Sequence, residues 1–417
     1  MSYHFETDED YAHKLDQEDP LARFRQRFYI PGNTIYMDGN SLGLLSKDAE
    51  NSTLKRLNEW KTQAIKGWLQ PEHPWFYLAE ELGAKCARLV GAQPEEVVAT
   101  GTTTINIHAL AHTFYQPFGK RTKILADELN FPSDIYALNS LIRLRGLNPQ
   151  ENLILTPSKD GRTLDENKII ELMTDEVALV FLPSVLYRSG QLLDIHRLTE
   201  EAHKCSIPIG FDCSHSVGIV PHDFDEWQTD FALWCSYKYL NGGPGATAFL
   251  YVNKKHFQLE PALPGWFGYQ KDKQFNMALH FEHAQNAGGW QISSPAILSS
   301  APLEGALSII LEAGIQQIRE KSVRMTSYLI YLVDELLSKP PYDYSVGTPR
   351  EPQRRGGHVA IEHSKADTII QELIRKGIVP DYRPPNIIRT APASLYTKYH
   401  EIWQMIDTLK QAINPVT

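Results

Sequence analysis

Short apolar segments alternate with segments of helical character along the chain, from about residue 54 to residue 251. This alternation is typical of βαβ units, and it predicts a mostly parallel sheet that is covered by helices on both faces. Residues 178–182 are continuously apolar, as expected for a strand that is buried on both faces. The predicted strands are Glu96–Ala99, Lys123–Ala126, Leu153–Leu155, Ala178–Leu182, Pro208–Phe211, Phe231–Trp234 and Thr247–Tyr251. The predicted helices are Leu54–Lys66, Ile105–Phe114, Pro132–Arg145, Asp165–Met173 and Asp194–Cys205.

After about residue 300 the pattern changes to that of a smaller α+β unit. Its predicted elements are one long helix Leu303–Leu337, strands near Tyr342–Ser345, His358–Glu362 and Ile387–Thr390, and helices Lys365–Lys376 and Tyr399–Ile413. A Gly/Ser/Pro-rich stretch at residues 288–295 is predicted to be the linker. The predicted organisation is an N-terminal arm (residues 1–50) that contributes to the small unit, a large unit (51–300) with a seven-stranded sheet, and the small C-terminal unit (301–417).

Composition and charge narrow the possible partners. The 41 lysine and arginine residues against 50 aspartate and glutamate residues give a formal net charge of −9, and no basic block occurs, so nucleic acid is not an expected partner. The acidic N-terminal segment lacks an apolar stretch, and no apolar run reaches the roughly 18 residues of a membrane helix. We therefore expect a cytoplasmic protein with no membrane partner. The four cysteines form no CxxC pair, so reduced thiols are expected.

Two polar residues stand directly after predicted strands. Asp212 ends the apolar strand in IPIGFDCSHSVG (residues 207–218), and Lys238 follows another in FALWCSYKYLNGGPG (residues 231–245). Ligands of open α/β sheets gather at the carboxyl ends of strands. Taken singly, Asp212 could cap the next helix and Lys238 could be a solvated side chain. The apolar neighbours of Lys238 would lower the pKa of its amine and make it available as a nucleophile.

A third feature is the segment Thr100-Gly101-Thr102-Thr103-Thr104, which links a predicted strand to a predicted helix. It would present backbone N–H groups, hydroxyls and the positive end of the helix dipole to an anion, although a threonine-capped helix is the simpler interpretation. Combined with Asp212 and Lys238 it suits pyridoxal 5'-phosphate (PLP). That cofactor needs a lysine for its Schiff base, a carboxylate for its pyridine nitrogen and a cradle for its phosphate.

Five motifs together resemble those of the kynureninase family, from about Tyr36 to Leu409. They are MDGNSLG (37–43), NFPSD (130–134), FDCSHSVG (211–218), WCSYKYLNGGPG (234–245) and LPGWFGYQ (263–270). The resemblance implies an α/β protein of PLP fold type I. It also implies hydrolysis of L-kynurenine to anthranilate and L-alanine, an activity of the kynurenine pathway of tryptophan catabolism and related to NAD biosynthesis. A homodimer with shared active sites is expected.

The resemblance also implies roles for individual residues. Lys238 would bind the cofactor and move the α-proton, Asp212 would pair with the pyridine nitrogen, and Tyr237 would be the general acid/base. The implied cofactor-binding residues are Thr103, Thr104, Phe131, Pro132, Ser133, Asp134, Ser184, Asp212, His215, Tyr237, Lys238, Trp266 and Ser294. Phe131 would stack on the pyridine ring. The implied substrate-binding residues are Arg389, which would clamp the α-carboxylate, and Trp68, Ser41 and Asn40.

Two positions depart from the family pattern. Where relatives often have an asparagine that reaches the cofactor phosphate this chain has Ser294, and where members that favour 3-hydroxykynurenine have a histidine it has Trp68. Trp68 offers one donor N–H and no acceptor to a ring hydroxyl. We therefore expect L-kynurenine to be preferred over 3-hydroxykynurenine.

Other function classes have weaker support. A metal-dependent hydrolase would use the histidines and aspartates at His108, His112, Asp212, His215, His222 and Asp223, but no HExxH motif occurs and we expect no metal site. A cysteine desulfurase would need a late cysteine, and none follows Cys235. An aminotransferase is not excluded by spacing. A binding module without activity would leave Lys238, Asp212 and Arg389 without a chemical role.

Overall fold

A seven-stranded sheet runs through the larger part of the chain in this computed structural model, which describes residues 4–70 and 72–413. Its strands are β2 (Val97–Ala99), β3 (Lys123–Asp127), β4 (Leu153–Thr156), β5 (Val177–Pro183), β6 (Ile209–Asp212), β7 (Phe231–Trp234) and β8 (Phe249–Val252), after a short β1 (Ile35–Tyr36) outside the sheet. The spatial order is β2-β8-β7-β6-β5-β3-β4. Strand β8 is antiparallel to both neighbours and the other pairs are parallel. The predicted mostly parallel, seven-stranded sheet is confirmed.

Helices cover both faces of this sheet. The helices are α1 (Glu9–Gln17), α2 (Lys47–Gln63), α3 (Leu78–Ala87), α4 (Thr103–Phe114), α5 (Pro132–Leu144), α6 (Pro149–Asn152), α7 (Glu166–Glu171), α8 (Ile195–Lys204), α9 (Ile297–Ala313), α10 (Ile315–Leu337), α11 (Ala366–Arg375) and α12 (Tyr399–Ile413). Strand β5 is buried along its whole length. Its side chains alternate between two hydrophobic clusters, with Val180 and Leu182 packed in the cluster of α8 and Leu179 and Phe181 in that of α4 and α5. The continuous apolar run thus serves both faces.

A second sheet and a third hydrophobic cluster lie in the C-terminal part. The strands are β9 (Ser345–Val346), β10 (Val359–Glu362), β11 (Ile378–Val379), β12 (Asp381–Arg383) and β13 (Ile387–Thr390). Four of them form an antiparallel sheet in the order β12-β13-β10-β9, and β11 pairs with β1 instead. This cluster includes side chains of α10, α11 and α12 and also Ala12 and Leu15 of α1.

The N-terminal arm serves both parts of the molecule. Ala12, Leu15 and Met37 pack with the C-terminal cluster, whereas Phe24 and Phe28 pack with the cluster of the large sheet. The division into residues 1–50, 51–300 and 301–417 stays a prediction, and residues 1–3 and 414–417 lie outside the described residues.

Two sequence predictions are wrong here. The long helix predicted for residues 303–337 is two helices, α9 and α10, which meet at a bend of 77°. Gly314 lies between them with φ of 80°, a left-handed value that glycine adopts without a steric penalty. The predicted linker is not an exposed connection, because Trp290 within it is 1% exposed and packs in the cluster of α4 and α5.

No single helix within residues 4–70 and 72–413 is both long enough and apolar enough to cross a membrane, and α9 with α10 reaches that length and composition only as a bent pair.

Candidate active site

A cavity of about 380 Å³ opens at the carboxyl ends of β3, β5, β6 and β7. Parallel strands bring the residues that follow them to one edge of the sheet, which is where ligands bind in this architecture. The cavity is lined by Asn40, Ser41, Thr103, Thr104, Leu129, Asn130, Phe131, Ser133, Asp134, Pro183, Val185, Tyr187, Asp212, Ser214, His215, Tyr237, Lys238, Arg383 and Arg389. Twelve of the residues that the sequence predicted for the site are in this group.

Lys238 and His215 contact each other in the cavity. The Lys238 Nζ atom lies 3.0 Å from His215 Nε2. Burial, together with the positive charges of Lys238 and Arg389, lowers the pKa of His215 well below its usual value, so the imidazole is neutral. A charged lysine only donates, and Nε2 therefore accepts from Nζ while the ring proton lies on Nδ1.

Two carboxyl groups line the cavity with Lys238, those of Asp212 and Asp134, and a third, that of Asp127, lies near Asp134. Asp212, the last residue of β6, accepts the backbone N–H of Ser214 at 2.7 Å and faces the cavity. Burial raises the pKa of Asp134 well above its usual value, and the negative charge of Asp212 raises it further. Burial also raises the pKa of Asp127 to about 7. The raised pKa of Asp134 favours its protonated form beside Asp212.

The predicted phosphate cradle has the expected backbone. Strand β2 leads through Gly101 into α4, and Thr103 and Thr104 in the first turn of α4 line the cavity. Gly101 has φ of +59°, and a Cβ atom there would lie 2.5 Å from Asn106 Oδ1. The Asn106 side chain in turn donates to Thr100 O at 2.9 Å. This close packing holds the turn that aims the helix N-terminus at the cavity.

An exposed aromatic ring forms one wall. Phe131 precedes α5 and is 44% exposed, which leaves its face free for a ligand. The ring of Tyr187 contacts it edge-on, with centroids 5.3 Å apart and an interplanar angle of 89°. Pro132 and Ser184 do not line the cavity. Pro132 is the first residue of α5, and the buried Ser184 hydroxyl lies 2.7 Å from Ser216 Oγ.

Arg389 of β13 reaches the cavity from the C-terminal sheet and is 1% exposed. Its Nη2 donates to Ser41 Oγ at 2.7 Å, and its Nη1 donates to the Tyr187 carbonyl at 2.8 Å. With the Asn40 amide nitrogen facing Asp38, the Asn40 oxygen accepts from Arg389 Nε at 2.9 Å. The structure therefore brings together Arg389, Ser41 and Asn40, three of the four residues that the family resemblance implied for the substrate side.

Tyr237 lines the cavity next to Lys238. Burial raises the pKa of its phenol, and the nearby thiol of Cys235 raises it further. The phenol is therefore protonated at neutral pH and can donate a proton or a hydrogen bond.

Besides Pro132 and Ser184, three more predicted residues lie outside this cavity. Trp68 packs on Trp75 and Phe267, with ring centroids 5.8 and 5.9 Å away. Trp266 is 43% exposed and contacts Phe275 edge-on, and Ser294 is exposed. The cavity of a single chain does not include any of the three.

The structure adds residues that sequence reasoning missed. Arg383, Tyr187, Asn130 and Ser214 line the cavity. The fully buried His358 lies behind His215, with ring centroids 5.7 Å apart. Arg383 lies between Tyr382 and Pro384, and an arginine with such neighbours was a signal that the sequence offered.

The metal-site alternative receives no geometric support from its own residues. His112 Nδ1 contacts the carbonyl of His108 at 2.9 Å, and His222 Nε2 contacts Ser216 Oγ at 2.9 Å. Among the described residues, the one group with three ligand atoms within 4.8 Å of one another is Glu9, His13 and His400, on α1 and α12.

Buried polar atoms at the cavity that lack a hydrogen-bond partner indicate whether PLP fits there. His215 Nδ1, Asp134 Oδ2 and Asn130 Nδ2 are buried and have no hydrogen-bond partner within the part of the chain that the structure describes. Buried polar atoms are nearly always paired, so these three point to a polar ligand. Together with the lysine amine, the strand-end carboxylate and the helix N-terminus, they match the groups that an aldehyde, a pyridine ring and a phosphate require. The residues present fit this cofactor.

Curated relatives cover nearly the whole chain. A kynureninase of Geobacillus thermodenitrificans (strain NG80-2) is 56% identical over 402 residues, 96% of this chain and 94% of the relative. A kynureninase of Bacillus anthracis is 54% identical over 98% of this chain and 95% of its own. The chain belongs to the kynureninase family. The family model of the kynureninase C-terminal domain matches residues 318–409.

Solved structures show that the kynureninase fold of this chain is shared with other enzymes. A cysteine desulfurase from Thermococcus onnurineus NA1 aligns with a TM-score of 0.78 at 17% identity and covers 100% of both chains. A mutant of C-DES with glycine covalently linked to its PLP cofactor aligns with a TM-score of 0.79, at 17% identity, over 92% of this chain and 98% of its own. The predicted α/β fold of PLP fold type I is confirmed. At this identity the likeness concerns the fold alone, and none of the four cysteines lines the cavity.

Proposed function

We propose that the cavity around Lys238 is where this chain hydrolyses L-kynurenine to anthranilate and L-alanine, with PLP as its cofactor. The observation that carries the location is the convergence of Lys238, Asp212 and Arg389 on one cavity. The activity and the cofactor are those of the kynureninase family, to which the chain belongs.

The cofactor would be held by residues from three strand ends and one helix. Lys238 would bind it covalently, Asp212 would pair with its pyridine nitrogen, Phe131 would stack on its ring, and Thr103 and Thr104 would receive its phosphate. When bound, PLP supplies an electron-withdrawing pyridinium that stabilises negative charge at the substrate α-carbon.

The protein's own groups would bind the substrate and move its protons. Arg389, with Ser41 and Asn40, would orient the α-carboxylate. Lys238 Nζ would take and return the proton at the α-carbon, and the neutral His215 beside it accepts a hydrogen bond from that amine. Tyr237 keeps its proton because of burial, so we assign it the role of proton donor during hydration and cleavage of the side chain.

The direct test supplies L-kynurenine to the purified holoenzyme and follows anthranilate by its fluorescence. We expect anthranilate and L-alanine in equal amounts, the latter measured by amino-acid analysis. A protein that carries PLP but releases no anthranilate, or that gives anthranilate without alanine, would contradict the proposed reaction.

We also propose a cytoplasmic homodimer with shared active sites. All four cysteines are free, as in proteins of reducing compartments. Apolar side chains are exposed on α2 and the turn that follows it, with Leu54 at 55%, Trp60 at 56% and Ile65 at 78%. Such a patch is typical of an interface between subunits. Trp266 and Ser294, which are exposed in one chain, would reach the partner's phosphate site.

Subunit mixing tests this arrangement. The test requires that the Trp266→Ala homodimer is itself inactive, as Lys238→Ala should be. Random mixing of the two should then recover about a quarter of the wild-type activity per site, because half of the dimers are heterodimers and one of the two sites in each is intact. Mixing Lys238→Ala with Asp212→Asn is the matched control and should recover nothing, because both changes affect groups that one chain supplies. Equal recovery in both mixtures, or none in verified heterodimers with Trp266→Ala, would argue against shared sites.

The preference for L-kynurenine over 3-hydroxykynurenine is a further testable feature of the proposed enzyme. A 3-hydroxyl that loses its hydrogen-bond partner in a buried pocket costs about 1–3 kcal/mol, so we expect kcat/KM for L-kynurenine to exceed that for 3-hydroxykynurenine by about tenfold or more. Trp68→His would supply an acceptor and should narrow the ratio. If Trp68 only packs against Trp75 and Phe267, the ratio will be the same in both proteins.

A further inference from the structure

Arg389, the predicted carboxylate clamp, is already heavily engaged within the protein. It contacts the Tyr187 carbonyl, Ser41 Oγ and the Asn40 oxygen, and its Nη2 lies 2.5 Å from Asp381 Oδ2. Three of the five N–H groups of the guanidinium are used in hydrogen bonds to Tyr187, Ser41 and Asn40, and the Asp381 carboxylate is an ion-pair partner of Nη2. A second carboxylate that bound Arg389 would therefore have to share its charge with Asp381.

Arg383, unlike Arg389, makes few contacts with other protein groups. It lines the same cavity, and its side chain is 31% exposed. Its Nε lies 2.7 Å from Asp381 Oδ2. Within residues 4–70 and 72–413, no protein acceptor contacts its two terminal nitrogens. The unengaged end of the guanidinium therefore offers the parallel N–H pair that a carboxylate prefers.

Asp381 and Tyr187 fix the position of this free end. Asp381 Oδ2 contacts both guanidiniums, and Asp381 faces Arg389 in the register of β12 and β13. The Arg383 guanidinium carbon lies 5.8 Å from the centroid of the Tyr187 ring. Because Tyr187 also contacts Phe131 edge-on, Arg383 is held next to the wall on which the cofactor ring would stack.

The balance of charge around Arg383, Arg389 and Asp381 favours the binding of an anion. The two guanidiniums share one oxygen of Asp381, and the other carboxyl group is that of Asp38, whose pKa burial raises to about 6. Lys238 and Asp212 also line the cavity, with opposite charges. At this corner of the cavity, an entering carboxylate meets two guanidiniums that share a single carboxylate oxygen.

We propose that Arg383 is a specificity-determining residue that contacts the α-carboxylate of the substrate directly, with the buried Arg389 as the inner partner of the pair. This assignment rests on the proposed function and adds to it a second guanidinium. It follows that amino-acid substrates and their decarboxylated amines are distinguished through Arg383 as well as through Arg389. Lysine would keep the charge and lose the planar fork, so Arg383→Lys should be only partly effective.

The test compares Arg383→Met with Arg375→Met, a matched change at a 75%-exposed arginine of α11. In the holoenzyme, Arg383→Met should raise KM for L-kynurenine at least tenfold with kcat changed by less than about threefold, as expected for lost binding that is equal in ground and transition states. Arg383→Lys should raise KM by an intermediate factor. Arg375→Met should behave as wild type.

The decarboxylated amine of kynurenine, used as a competitive inhibitor, isolates the carboxylate contact. Its inhibition constant should be the same in wild type and Arg383→Met. An unchanged KM for L-kynurenine, or equal weakening of substrate and amine, would overturn the proposal. If Arg383→Met does not fold with bound cofactor, the same comparison with Arg383→Lys decides the question. Failure of the wild type to form anthranilate would instead refute the proposed function.

Discussion

Replacing Lys238 with alanine should lower the turnover of L-kynurenine by at least ~10⁴-fold. The variant loses both the amine that would bind the cofactor and the group that would move the α-proton, so two steps fail together. It also removes the partner of His215 Nε2, which Lys238 Nζ contacts at 3.0 Å. The measurement is anthranilate release, with the visible absorbance of the holoenzyme and its melting temperature as evidence that cofactor and fold are retained.

Lys204→Ala is the matched control, because this lysine of α8 is 65% exposed and pairs with Glu201 on the surface. It should keep wild-type turnover. Borohydride treatment of the wild type followed by peptide mapping should find the pyridoxyl group on Lys238. A label on another lysine, or turnover in Lys238→Ala within tenfold of wild type, would show that the site has been assigned to the wrong residue.

Replacing Asp212 with asparagine should reduce kcat by about 10²–10³-fold, the size of loss seen when one preorganised electrostatic contact is removed from an active site. The amide keeps the shape of the side chain and can still accept the Ser214 N–H, which Asp212 accepts at 2.7 Å. What it loses is the negative charge that would keep the pyridine nitrogen protonated. Cofactor binding should persist while the chemical step slows.

The single-turnover rate constant reports on the chemical step, and a separate titration reports on cofactor affinity, so the two effects can be distinguished. Asp175→Asn, at a 65%-exposed aspartate that pairs with Lys120, is the matched change of charge and should have no effect. Asp134 also bears on the result, because the negative charge of Asp212 contributes to its raised pKa. Near-normal kcat in Asp212→Asn would refute the charge argument, whatever the effect on stability.

The sequence predicted the large sheet well because its signals are local. A strand buried on both faces must be apolar throughout, and β5 is buried at every position. The break at Gly314 was missed because both flanking segments are good helices, and one glycine inside a helical pattern is often tolerated. Trp290 lies in a stretch with linker composition, and only its packing against the large sheet shows that it is core.

In the candidate site too, local sequence patterns account for some features and contacts between distant residues account for others. Lys238 and Asp212 follow strands in short motifs, so the sequence pattern alone made them candidates, whereas Phe131 was implied by the family resemblance. The engagement of Arg389 and the freedom of Arg383 depend on Asp381, Ser41 and Tyr187, which are far apart in the chain. No local pattern encodes such contacts.

The walls of the cavity belong to two separately packed hydrophobic clusters. Lys238 and Asp212 extend from the large sheet, whereas Arg389 and Arg383 extend from the antiparallel sheet beside the C-terminal cluster. A ligand that contacts both walls acts as a non-covalent crosslink, and its binding energy opposes their separation. Saturating substrate analogue should therefore merge two calorimetric transitions into one, or raise the lower of them, whereas cofactor alone stabilises only the wall that holds it.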